Sequence, residues 1–197
     1  MPVPRIGPVR QAEFFRELLG LQAPDADPAA TAAVVDEARQ QVATAPNDDA
    51  QQQVLADLPQ AVREVVAPAA VRRQTEPAFA AATEHRLSGF AELLPDNPRA
   101  VKRFLNAFAL TRSVRTVEGQ AIPTACLALW TILQTRWPLL ADALTAHPEW
   151  VDPGAATPTQ VPADVQALLD DPGVQQVLGF ADGGPLTPDL VRACRGG

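Results

Sequence analysis

The sequence predicts an all-α fold, a bundle-like packing of about eight to ten short helices, from three observations. Val, Ile and Thr never alternate with polar residues over the length of a strand; tyrosine is absent while alanine is abundant. Prolines also stand where a first helical turn accepts them, at Asp27-Pro28, Asn97-Pro98, Ile122-Pro123 and Thr187-Pro188. The missing N–H costs nothing there, and three of the four follow a good capping residue. With 197 residues and 47% hydrophobic content, the chain can bury a real core.

Taken in order, helices are expected at 9–19, closed by Gly20; at 28–44, opened by Pro28; then at 49–66, 69–86 and 88–94. Further helices follow at 98–116, ending before Gly119, and at 123–136, 138–146, 162–170 and 187–194. The segment 147–164, rich in Pro, Gly, Thr and Ala, reads as a loop. Three regions result: an Ala/Gln-rich helical region at 1–88, a central region at 89–151, and a loop with a helical tail at 152–197. The first 85 residues have few large apolar groups and are expected to pack less firmly. No fixed-period repeat or long heptad run points to a solenoid or a coiled coil.

The longest apolar run, Ile122 to Leu133, is soon followed by Arg136 and falls short of the ~20 residues a membrane span needs. The N-terminus has no hydrophobic signal core, so a cytoplasmic location and no membrane contact are the expectation. Cys126 and Cys194 lie far apart with no metal-ligand spacing and read as reduced thiols, Cys126 in the core. No metal ligands are expected. A net charge of −7 opposes general binding to nucleic acid. The charge is uneven, however. Between Asn97 and Val117 there are five basic residues (Arg99, Lys102, Arg103, Arg112, Arg115) and no acid, which leaves 11 basic against 23 acidic residues elsewhere, a balance of −12.

That basic island opens with "LLPDNPRAVKRFLNAF", which holds the only lysine. Asn97 is placed to cap the helix that Pro98 starts. Val101, Phe104, Leu105 and Phe108 recur at i, i+3, i+4 and i+7, an apolar stripe that must face a core. Arg99, Lys102, Arg103 and Asn106 fall on the opposite side, so burying one set presents the other. Cations in a first turn oppose the helix dipole, and an anion there would relieve them. Further along, Leu110 falls on the basic side and Arg112 on the apolar side.

"NPRAVKRFLNAF", followed by "LALWTILQTRWPLLADAL", resembles the C-terminal helical part of KAP-type P-loop NTPases, whose pattern runs roughly Asn-Pro-Arg-x-x-Lys-Arg-Phe-x-Asn and then a helix ending in Arg-x-Pro-x-Leu. "FAELLP" fits as well, and the resemblance covers Gly89 to Trp150. It implies a lid similar to that of AAA-like and STAND ATPases, lying against a nucleotide-binding core. It also implies Arg99 as a phosphate sensor, Lys102 and Arg103 as its support or as contacts to the core, and Asn106 as a residue that fixes the helix. Phe104, Phe108 and Trp137 would be structural.

The chain departs from the family in its chemistry. A Walker A loop needs GxxxxGK[ST], and Lys102 stands between Val101 and Arg103 with no glycine-rich loop nearby. No strand ending in paired acids offers a Walker B. Catalysis by this chain alone is therefore not expected, and ATP with magnesium enters only with a P-loop NTPase core from another segment or chain. The alternative is a stand-alone helical interaction module that docks an acidic partner.

Other constellations are weaker. His85 and His147 have no neighbouring nucleophile in a recognisable turn. Trp130 and Trp137, seven apart, are expected on one helix face in the core. The pairs Asp48-Asp49 and Asp170-Asp171 stand where caps and turns are expected. A helix-turn-helix reader of DNA is disfavoured by the acidic body and by the need of Phe104 and Phe108 for a core.

Overall fold

A computed structural model describes residues 28–152, 161–180 and 186–195, with side chains from residue 32 onward. Among the described residues there are ten α-helices, two 3-10 segments and no strand, so the fold is all-α. The helix expected at 9–19 and the middle of the loop expected at 147–164, residues 153–160, lie outside them.

The first four helices are α1 (Pro28–Thr44), α2 (Asp48–Asp57), α3 (Gln60–Gln74) and α4 (Pro77–Leu87). Two expected helices, 49–66 and 69–86, become three because the prolines act differently from their reading. Pro59 ends α2, having no N–H to continue the ladder. Pro68 sits inside α3 on its exposed side, while Val66, Ala67 and Ala70 stay buried on the other. Pro77 then opens α4. These helices enclose a small core of Val35, Ala38, Val42, Leu55, Val62, Val66 and Ala70. Arg73 closes the end of α1 by donating to the carbonyls of Val42 and Ala45, which the helix itself leaves unsatisfied.

A 3-10 segment (Ser88–Leu93) leads to α5 (Pro98–Glu118), α6 (Thr124–Arg136) and α7 (Pro138–Ala146). After a second 3-10 segment (Pro148–Val151) come α8 (Ala163–Leu169), α9 (Pro172–Leu178) and α10 (Pro188–Arg195). The second 3-10 segment and α9 fall where the sequence reading expected a loop or gave no helix. All these elements share one large core. The boundary expected near residue 152 thus separates stretches of chain and not cores.

Helix α6 is the axis of that core. Every residue from Cys126 to Leu133 is buried, as befits a helix that is apolar all round. Trp137 does not share its helix with Trp130: α6 stops at Arg136, because a residue before proline is pushed out of the helical region. Trp130 is fully buried, and Trp137 packs half-buried at the core edge under the Arg136 guanidinium, 4.1 Å from the ring centre. Arg136 also donates to the Leu93 carbonyl, tying the "RWP" turn back to the segment before α5.

Helix α5 ends at Gly119, the one described residue with positive φ, at 69°. Its left-handed turn lets the Gly119 and Gln120 N–H groups return to the carbonyls of Thr116 and Arg115. The tail is pinned from both directions. Arg115 donates to the Arg195 carbonyl and Arg195 to the Thr145 carbonyl. No described helix is long and apolar enough to cross a membrane.

Candidate functional site

The first two turns of α5 form the candidate site. Asn97 caps them, its Oδ1 accepting from the Arg99 N–H at 2.9 Å, and Pro98 occupies the first helical position. Phe104 and Phe108 are buried one turn apart, their ring centres separated by 6.2 Å, and they hold the helix against the core. Arg99, Lys102, Arg103 and Asn106 are all exposed. None of the three cations forms an ion pair or a hydrogen bond through its side chain with any described residue. No described carboxylate thus pairs with this face.

Two sequence expectations need correction here, and the basic island divides between two faces. Val101 is 37% exposed, so the inward stripe is narrower than its spacing implies and rests on the two phenylalanines, with Leu105 half-buried. Asn106 makes no side-chain hydrogen bond to a described residue, so it does not fix the helix by that means. Of the five basic residues, only three belong to the outer comb. Arg112 and Arg115 turn inward and are buried.

Arg112 occupies a second constellation, one the sequence reading missed. Its Nη1 donates to both carboxylate oxygens of Asp48 at 3.1 Å and to the Thr83 hydroxyl at 3.1 Å, while Nη2 reaches the Gln74 carbonyl at 3.3 Å. Thr83 donates to Asp48 at 2.5 Å. Gln74 bridges Gln51 and Thr116. The first turn of α2 thereby docks on α3, α4 and α5 through polar groups that water does not reach. Asn47, not the acid pair, caps α2, accepting from the Ala50 N–H at 2.9 Å. Half of the signal was present: an arginine on the apolar side of α5 needed a buried anion, but Asp48-Asp49 reads in sequence as a cap or turn pair.

Asp49 points the other way, to α6. Its Oδ1 accepts from the Thr124 N–H at 2.7 Å and the Thr124 hydroxyl at 2.6 Å, and its Oδ2 from Arg86 at 2.6 Å. A carboxylate thus caps α6 from outside, at the end where the dipole favours negative charge. Partial burial alone would raise the Asp49 pKa, but the bonds from Thr124 and Arg86 outweigh it and hold the carboxyl below its ordinary value. A group depressed in this way stabilises the fold above its unfolded pKa and loses that contribution as pH falls through the folded one. The stability advantage of the wild type over Asp49→Asn is therefore expected to be full at neutral pH and to shrink below about pH 4, as measured by urea unfolding across pH. A constant difference would contradict the capping role.

Both cysteines are buried thiols that form no disulfide. Burial and the nearby Asp49 charge raise the pKa of Cys126, and burial pushes Cys194 up to about 12, which keeps both unreactive. Among the described residues, no group of three His, Cys, Asp or Glu side chains is gathered to hold a metal. His147 stacks on Trp150, its ring 4.1 Å away, and faces Glu149. His85 lies exposed on α4. No family model, curated protein or solved structure matches this chain. The resemblance to the KAP-type lid therefore rests on the motif residues alone.

Proposed function

We propose that the chain is a helical lid-like module that rests on a P-loop NTPase core supplied by another segment or chain. It does no catalysis alone, and it turns Arg99 towards the phosphates of a nucleotide held with magnesium by that core. The observation that carries this reading is the state of the α5 comb: Arg99, Lys102 and Arg103 are exposed, and no described residue pairs with them. Three cations with no described partner, at the end of a helix where the dipole favours negative charge, suit an anion brought by a partner.

The test is Arg99→Ala in the complex with the core. Loss of a charge-assisted phosphate contact is expected to lower nucleotide-dependent turnover by about tenfold or more, on the order of 1–3 kcal/mol. The fold should be untouched, because Arg99 has no described partner to lose. Unchanged turnover removes the sensor role. A second reading, a stand-alone module docking an acidic partner, is favoured by Leu110, which lies 68% exposed on the same face and has no use in phosphate sensing.

A further inference from the structure

The outer face of α5 does not end with its cations. At 100° per residue, Leu110, Val114 and Val117 fall in line with Arg99, Lys102 and Arg103. They are 68%, 40% and 55% exposed. Their i, i+4, i+7 spacing marks a stripe that normally faces a core. Here it faces outward, on a helix whose other side is already filled by Phe104, Phe108, Arg112 and Thr116. From Arg99 to Val117 the stripe runs about 27 Å, at 1.5 Å per residue, and is one helix wide.

We propose that this stripe docks one helix of a partner protein, with carboxylates over Arg99, Lys102 and Arg103 and apolar side chains over Leu110, Val114 and Val117. Charge complementarity selects the acidic end: the cations lack a carboxylate among the described residues. The apolar end selects a protein. A free phosphate or a nucleic-acid strand would leave the hydrocarbon uncovered, and the net charge of −7 repels a polyphosphate chain. A lipid surface fits poorly, because membrane-lying helices carry charge and hydrocarbon on separate faces, whereas here they lie end to end along one line. A second copy of this chain fits no better. Paired in parallel, the two stripes set cations against cations; antiparallel, they set cations against Val114 and Val117.

The inference shares with the lid reading only the outward-facing side of α5, and it needs no nucleotide. Its test is fluorescence anisotropy on the full chain with labelled, alanine-based helical peptides of about 18 residues, the length that spans the stripe. Each peptide carries glutamates on one half and leucines on the other half of a single face, in either order along the sequence. One order is expected to bind, with Leu110→Asp and Arg103→Glu each weakening it at least tenfold while circular dichroism stays unchanged. A peptide with lysine for glutamate should bind only the Arg99→Glu/Lys102→Glu/Arg103→Glu chain.

Failure of both orders, or affinity indifferent to Leu110→Asp, overturns the proposal. It also falls if the wild type sediments as a dimer that Leu110→Asp dissociates, since a second copy is then the occupant. Tighter binding by full-length Phe14→Asp/Leu18→Asp overturns it too, since the chain's own N-terminal segment is then the cover. Peptide binding together with turnover insensitive to Arg99→Ala sinks the nucleotide reading and leaves the docking face; the reverse pattern sinks the docking face alone.

Discussion

Replacing Arg112 by leucine should destabilise the protein by about 3–5 kcal/mol, the cost typical of removing one member of a buried ion pair. Asp48 is only 1% exposed, and the guanidinium neutralises it through both carboxylate oxygens. Without Arg112 the carboxylate stays enclosed with the Thr83 hydroxyl as its remaining side-chain donor, and the Gln74 carbonyl loses a donor as well. Exposed pairs elsewhere, such as Arg39 with Asp36, lie in solvent and matter far less. The double variant Arg112→Leu/Asp48→Leu leaves no lone charge and is expected to recover much of the loss. Urea unfolding of the three proteins decides it: an Arg112→Leu variant within about 1 kcal/mol of wild type would mean that the pair does not form.

Phe104→Ala is expected to cost a similar amount, roughly 3–5 kcal/mol, from lost burial and the cavity left behind. The ring is almost fully enclosed and packs with Phe108 on the one side of α5 that anchors it. Val101→Ala, three residues earlier and partly exposed, should cost far less. The contrast between the two, read from melting temperatures, tests which face of α5 is inward and therefore which face offers the cations. Equal effects would mean that the helix is rotated about its axis.

Local signals carried much of this fold. Pro28 set the start of α1, and Asn97 with Pro98 set the start of α5, because a cap and a proline act within one turn and need no tertiary context. The alternation of Phe104 and Phe108 with the cations was legible for the same reason. What escaped depended on distant chain. Asp48 and Arg112 are 64 positions apart, and no spacing rule links them. Pro68 could stay in a helix only because its outer side is solvent, a fact fixed by what α3 packs against. The scarcity of large apolar groups in the first 85 residues suggested loose packing. Gln51, Gln52 and Asp48 instead lie buried there, so polar contacts supply part of what hydrocarbon does elsewhere.

The lattice of donors around Asp48 also sets a geometric limit. Hydrocarbon surfaces can slide over one another at little cost, but a guanidinium whose two terminal nitrogens already meet four separate oxygens has a single seating. The first four helices and α5 should consequently melt in one calorimetric transition, with no stage at which the Ala-rich half peels away while the Trp130 core persists.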